Sequence, residues 1–372
     1  MMTVGVVGLG TMGLGIAQVL TAAGHPVLAT DAQPSAREAA RERIATQLAT
    51  RVAAGRMTEE ERTAILGRLV VVDAPGFMGG ASMVVEAIVE EAGPKRTLFS
   101  GLEQIVAPDA VLATNTSSLS VAALAVGLRN PERVVGLHFF NPAPAQKLVE
   151  LVRHDGTSAA ALALARSVAE GAGRTVIEAP DRPGFIVNRC ARPFYGEALA
   201  LVEEGRTAAE IDAAMLAAGY RVGPLSLIDL VGADIHLAAT RVVWEGMRRH
   251  PRYRVFQTLE EQVASGALGR KAGRGFVAPG TPGAPPADAP AIVARIETVL
   301  ANEAAWFLAE GGVTQEAIDT AMRLGLSFPR GPFEILTARG RDQVRATLRD
   351  LGSRAPSHLG GRYDPAPLLE KS

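Results

Sequence analysis

Apolar residues in this chain fall into short, β-branched runs separated by helical stretches. The runs are Val4-Gly-Val-Val-Gly, Val27-Leu-Ala-Thr-Asp, Leu69-Val-Val-Val-Asp, Met83-Val-Val-Glu-Ala, Val111-Leu-Ala-Thr-Asn, Val134-Val-Gly-Leu-His, Leu148-Val-Glu-Leu-Val and Arg174-Thr-Val-Ile-Glu. Continuous apolar strands alternating with helices predict a mostly parallel sheet covered on both faces. Residues 35–66 break the rhythm. They read as two successive helices, opened by the capping boxes Ser35-x-x-Glu38 and Thr58-x-x-Glu61, and predict a hairpin projecting from the sheet.

The rhythm changes at Asp181-Arg-Pro-Gly, and the chain turns helical, including a segment opened by Thr207-x-x-Glu210. Residues 278–290 form a Pro/Gly linker, and a third segment then repeats the second. Glu197, Glu203-Glu204-Gly, Ile211-Asp-Ala-Ala-Met and Gly223-Pro match Glu303, Ala309-Glu310-Gly, Ile318-Asp-Thr-Ala-Met and Gly331-Pro, with an offset growing from 106 to 108 residues. A register held over so many positions marks an internal duplication. The predicted organisation is an α/β domain over 1–182, a helical domain over 183–277, a linker over 278–290, a degenerate helical copy over 291–352 and a loosely ordered tail over 353–372.

Composition narrows the picture by exclusion. With 38 basic and 39 acidic residues in 372, the overall field favours neither nucleic acid nor a membrane surface. One cysteine, Cys190, rules out a disulfide framework and a cysteine-based metal cluster. No apolar run approaches the roughly 20 residues needed to span a bilayer, and no signal-peptide pattern opens the sequence, so a cytoplasmic protein is expected.

The first strand leads directly into Gly8-Leu-Gly-Thr-Met-Gly13 at the start of a helix, and an acidic residue, Asp31, ends the second strand. Glycines there allow a tight turn and let backbone N–H groups of Gly10, Thr11, Met12 and Gly13 approach a pyrophosphate. Asp31 is placed to accept from the adenosine ribose hydroxyls and would repel a 2′-phosphate. The expected cofactor is therefore NAD rather than NADP.

His138 closes one apolar run, and Glu150 lies within the next, beyond a Pro-rich connector. A carboxylate-oriented histidine is a general base poised near neutral pH. Taken alone, a histidine packing at a strand end is the plainer reading; a dinucleotide site in the same domain shifts the balance.

With those elements in place, Glu86-Ala-Ile-Val-Glu90 with Lys95, Asn115-Thr-Ser-Ser-Leu, His138-Phe-Phe-Asn-Pro-Ala-Pro, Lys147-Leu-Val-Glu150 and Pro183-Gly-Phe-Ile-Val-Asn188-Arg appear in order. Together they resemble the 3-hydroxyacyl-CoA dehydrogenase family, over the first strand to about residue 277. The resemblance implies a Rossmann-type NAD-binding domain with an inserted helical hairpin, followed by an all-α C-terminal domain and, in this chain, a partial duplicate of it. It assigns the general base to His138 and its orientation to Glu150. Ser117 and Asn188 would contact the reacting oxygen, and Glu90, Lys95 and Asn115 fall on the cofactor side. The substrate would be an acyl-CoA, no metal is required, and arginines of the hairpin (Arg37, Arg41, Arg43, Arg51, Arg56) lie where relatives meet coenzyme A phosphates. Each residue keeps a simpler alternative: Ser117 as a helix cap, Asn188 as a junction residue, Lys95 as a solvated first-turn residue.

Two departures stand out. Gln146 occupies a usually apolar position, which leaves the acyl preference open. In the second copy, Ala291-Ile-Val-Ala294-Arg replaces Phe185-Ile-Val-Asn188-Arg, so one active site per chain is expected. Substitutions at Glu303 or Gly331 should then leave the chemistry intact. Because single-copy relatives dimerise through this domain, the chain is expected to be a homodimer or a pseudo-dimeric monomer. Two other readings remain: a dehydrogenase of a free hydroxy acid such as L-gulonate or carnitine, and a non-catalytic NAD-binding protein.

Overall fold

The computed structural model describes residues 1–278 and 283–370; residues 279–282 of the predicted linker and 371–372 of the predicted tail lie outside the described residues. The chain divides into two compact units, Met1–Arg182 and Pro183–Ser372.

The first unit is built on one eight-stranded sheet. Its strands are β1 (Val4–Val7), β2 (Val27–Thr30), β3 (Leu69–Val71), β4 (Met83–Glu86), β5 (Val111–Thr114), β6 (Val134–Phe139), β7 (Leu148–Arg153) and β8 (Thr175–Pro180), in the order β3-β2-β1-β4-β5-β6-β7-β8. Every predicted apolar run is a strand. All neighbours are parallel except β6 and β7, which pair antiparallel. The runs of β1, β4, β5 and β6 are buried along their whole length, as strands between helical layers must be, whereas edge strand β3 leaves Val70 exposed. Helices α1 (Thr11–Ala22), α2 (Pro34–Ala53), α3 (Glu59–Gly67), α4 (Ala92–Glu103), α5 (Val121–Ala125) and α6 (Ala159–Gly171) complete the unit. Strand order reverses between β1 and β4, which is where ligands bind in open α/β sheets, at the carboxyl ends.

The hairpin is present, with one boundary corrected. Thr58 and Glu61 form the predicted capping box at α3. Ser35 caps nothing of the kind: α2 already begins at Pro34, with Gln33 as N-cap, because a proline preset to helical φ is favoured in the first turn. Only Ala40, Ile44 and Leu48 of α2 are buried, one stripe at helical spacing that joins the core of the sheet.

The second unit is all helical: α7 (Val187–Cys190), α8 (Arg192–Glu203), α9 (Ala208–Ala217), α10 (Pro224–Val231), α11 (Ala233–Gly246), α12 (Gln257–Ala264), α13 (Ala289–Ala309), α14 (Gln315–Leu326), α15 (Pro332–Arg339), α16 (Arg341–Arg354) and α17 (Pro367–Glu370). The repeated Ile-Asp…Gly-Pro signature has a physical cause. Asp212 accepts the backbone N–H groups of Leu225 and Ser226, and Asp319 those of Phe333 and Glu334, so each aspartate caps a following helix across a loop. A Cβ on Gly223 or Gly331 would overlap that carboxylate, and the proline then opens α10 or α15.

The tail contradicts expectation. Arg362, Tyr363, Ala366 and Leu369 are buried, and the carbonyl of Asp364 accepts from Asn302 and Trp306 of α13. An alternation of polar and apolar residues too short to show a period conceals a segment that is pinned by side chains from far up the chain. No helix of the described residues is long and apolar enough to cross a membrane.

Candidate active site

Gly8 leaves β1 with φ +97°, a left-handed turn that glycine adopts without strain. Gly13 is required by packing, since a Cβ there would lie 1.7 Å from the carbonyl oxygen of Gly8. Gly10 differs: its backbone suits any residue, and no protein atom lies within 4 Å of where its Cβ would be. Packing does not demand glycine at position 10, whereas close approach of a phosphate does. No side chain caps α1, so the first-turn amides of Thr11, Met12 and Gly13 remain for an anion at the helix N-terminus. Asp31 Oδ2 accepts from Leu9 N–H at 2.7 Å and Oδ1 from Gln33 N–H at 2.8 Å, which fixes its carboxylate against the loop. The residues therefore fit a dinucleotide.

Past the end of β4 lies a polar network that the sequence motif did not resolve. Glu86 is fully buried; its Oε1 accepts from Lys95 Nζ and Ile88 N–H, both at 2.7 Å, and its Oε2 from the Thr114 hydroxyl. Lys95 also reaches Glu90 Oε2 at 3.1 Å. It is thus a buried ion-pair partner, not the solvated residue that was its simpler alternative. Glu90 Oε1 in turn accepts from the Thr116 hydroxyl, Ser117 N–H and the Ser118 hydroxyl. Burial pushes the Glu90 carboxyl up, but Lys95 and these hydrogen bonds outweigh it and hold the group below the usual carboxylate range. Glu86 could have been suspected from sequence, as a carboxylate ending an otherwise apolar strand; Thr114 and Thr116 carried no signal.

Ser117 does not cap α5. That role belongs to Ser120, whose hydroxyl accepts from Ala123 N–H while Asp181 accepts from Ser120, Val121 and Ala122. Asn115 is also tied down: its Oδ1 accepts from Phe139 N–H at 2.8 Å, linking the ends of β5 and β6.

His138 and Glu150 are directly opposite in the antiparallel β6–β7 pair. Imidazole Nδ1 lies 2.7 Å from Glu150 Oε2; Glu150 is fully buried and His138 nearly so. Gly136, two residues earlier, permits the close pairing, because a Cβ there would press on Val152 Cβ at 2.7 Å. With Nδ1–H donated to the carboxylate, Nε2 carries the lone pair that can accept a proton. The connector turns back through Ala145 and Gln146, whose N–H groups both donate to the Pro142 carbonyl, and Gln146 is half-buried.

Asn188 belongs to the second unit, on the short helix α7, with its carbonyl accepting from Arg192. Of the hairpin arginines, Arg37 donates to the Asp31 carbonyl, Arg41 to those of Leu66 and Leu69, and Arg43 to that of Leu9.

A glycine-rich turn at a helix N-terminus, a carboxylate fixed against that turn and a carboxylate-held histidine on one sheet fit an NAD-dependent dehydrogenase. Comparison with known proteins carries this further. Residues 3–182 match the NAD-binding domain of 3-hydroxyacyl-CoA dehydrogenase, and residues 184–278 and 292–372 its C-terminal domain. The chain belongs to the 3-hydroxyacyl-CoA dehydrogenase family, NAD-dependent oxidoreductases acting on a CH–OH group. It is 42% identical over 275 residues to a 3-hydroxyadipyl-CoA dehydrogenase of Escherichia coli, spanning 73% of this chain and 58% of that one. It is 41% identical over 278 residues to a 3-hydroxybutyryl-CoA dehydrogenase of Mycobacterium tuberculosis, spanning 73% and 96%. The crystal structure of a 3-hydroxybutyryl-CoA dehydrogenase from Escherichia coli superposes with a TM-score of 0.91 at 30% identity, covering 99% of this chain and 97% of that one. The second of this chain's two matches to the C-terminal domain runs on to residue 372 and so includes the residues expected to form a tail.

Proposed function

We propose that this protein interconverts (3S)-3-hydroxyacyl-CoA and 3-oxoacyl-CoA, with His138 as general base. The observation that carries this is the 2.7 Å Nδ1–Oε2 bond between His138 and Glu150 on paired strands. Bound NAD supplies the hydride acceptor. His138 Nε2 takes the proton of the substrate hydroxyl, and Glu150 stabilises the imidazolium that results. Ser117 and Asn188 hold the substrate oxygen as its charge changes. Asp31 orients the adenosine ribose, and Glu90 with Lys95 sets the nicotinamide side while anchoring the Ser117 backbone. Relatives named for hydroxybutyryl-CoA and hydroxyadipyl-CoA support a CoA thioester over a free hydroxy acid.

The duplicated helical domain supports a second part of this reading. Arg189 of the first copy bonds Glu303 of the second at 2.9 Å, and Arg295 of the second bonds Glu197 of the first at 2.7 Å. Glu310 and Glu204 complete the two groups, as do the pairs Arg252-Tyr253 and Arg362-Tyr363. Each residue thus meets the counterpart of its own partner, the reciprocity of an isologous two-fold interface. The second copy takes a dimer partner's place within one chain.

Oxidation of NADH by acetoacetyl-CoA and 3-oxoadipyl-CoA, followed at 340 nm, tests the reaction. Saturable turnover of either is expected; turnover of free hydroxy acids with none of any acyl-CoA from C4 to C16 would refute it. Light scattering giving a mass of one chain tests the pseudo-dimer.

A further inference from the structure

We infer that the second helical copy is a positioning device for the first copy's Asn188, acting through Arg189. The inference rests on the reading of Asn188 as a substrate-contacting residue.

Asn188 follows two successive residues with left-handed backbone, Gly184 (φ +78°) and Phe185 (φ +48°). A buried phenylalanine in that conformation is costly, and such strain persists only where the surroundings over-determine it. Arg189 N–H closes the turn onto the Gly184 carbonyl at 3.0 Å, and a Cβ on Gly184 would lie 2.9 Å from that nitrogen. The Arg189 guanidinium, wholly buried, is then gripped by α13 and its C-cap Glu310, together with Tyr253 of its own copy. Nε donates to Glu303 and to the Tyr253 hydroxyl, Nη1 and Nη2 form a fork on Glu310, and its plane lies 4.7 Å from the Phe307 ring centroid. A bidentate arginine fork fixes orientation as well as charge. On the other side, Arg192 Nε holds the Asn188 carbonyl at 2.8 Å.

The mirror-related group shows what this clamp is for. Arg295 makes the same fork on Glu204 and the same bond to Glu197, yet it sits inside α13, one unbroken helix from Ala289 to Ala309. There the asparagine is Ala294, and the counterparts of Gly184 and Phe185, Pro290 and Ala291, lie within the helix without positive φ. The arginine–glutamate group therefore forms without any strained turn. Only in the first copy does it secure a turn that carries a polar side chain.

The two groups supply their own control. Glu310 and Glu204 are chemically equivalent and lie at the edges of their clusters, with side chains 35% and 53% exposed, so Glu310→Gln and Glu204→Gln should both fold. In the full-length enzyme, Glu310→Gln is expected to lower kcat about ten-fold or more, as displacement of a positioned group does, with KM for NADH unchanged. Glu204→Gln should leave kcat unchanged at a similar unfolding midpoint. Should the two variants behave alike while Asn188→Ala abolishes turnover, the positioning role is overturned and the assignment of Asn188 survives. Full activity in Asn188→Ala would overturn both. Glu303, which also holds Arg252 and Tyr253, is on this account no longer a position where substitution spares the chemistry.

Discussion

His138 and Glu150 sit directly opposite one another on β6 and β7, so their pairing is set by strand register and not by a flexible loop. One consequence is that the carboxylate can be altered with little movement of the ring. Glu150→Gln should retain the fold but lose the charge that stabilises the imidazolium. Turnover is expected to fall about 10²- to 10⁴-fold, the range for a positioned acid–base group, with His138→Gln at least as severe. Steady-state NADH kinetics alongside circular dichroism would check this; near-normal kcat in Glu150→Gln would remove the proposed role.

The glycine-rich turn separates a packing requirement from a ligand requirement. Gly10→Ala should leave the melting temperature unchanged, because no protein atom lies within 4 Å, while NADH affinity drops about ten-fold or more (about 1.4 kcal/mol). Gly13→Ala, with its Cβ 1.7 Å from the Gly8 oxygen, should destabilise the fold itself. Thermal melts and fluorescence titration of both proteins distinguish the two effects.

Lys95 and Glu86 are both almost wholly buried, so neither tolerates loss of the other. Lys95→Met strands a carboxylate without its cation and should cost about 3–5 kcal/mol of stability. Adding Glu86→Gln to Lys95→Met should recover part of that loss, measured from urea unfolding midpoints. An additive double variant would contradict the coupling.

His236 gives a pH prediction with a defined sign. Burial, with Arg192 nearby, pushes its pKa well below 6.5, so the folded protein keeps it neutral where the unfolded chain would protonate it. The unfolded state then binds the extra proton, and stability rises with pH up to about 6.5 and levels off above, with a slope of up to about 1.4 kcal/mol per pH unit. His236→Gln should remove about one proton from that slope between roughly pH 5 and 6.5. Chemical denaturation across that window is the measurement; an unchanged slope would show that His236 does not titrate there.

Much of the first unit was legible in the sequence because parallel strands must be apolar on both faces, and runs such as Met83-Val-Val-Glu announce themselves. His138 and Glu150 were legible for a related reason: two apolar runs joined by a short connector can only return antiparallel. Ser35 misled because a capping pattern was overtaken by the proline just before it. What stayed hidden was set by residues remote in the chain. Nothing near Arg189 announces that its carboxylates are Glu303 and Glu310, and nothing in Arg362-Tyr363 reveals a buried segment until Glu197 is seen to receive both. Glu86 lay in plain view within a recognised motif, but its partners Lys95 and Thr114 come together only when β4, β5 and α4 are assembled.

In an ordinary homodimer every substitution is made twice, and dilution can undo the assembly. Here the reciprocal Arg–Glu groups belong to a single polypeptide, so their union does not depend on protein concentration, and each side can drift on its own. Ala294 is an instance: the second copy carries alanine where the first carries Asn188. On the proposed pseudo-dimeric reading, the two sides of that contact differ in sequence and can be edited one at a time.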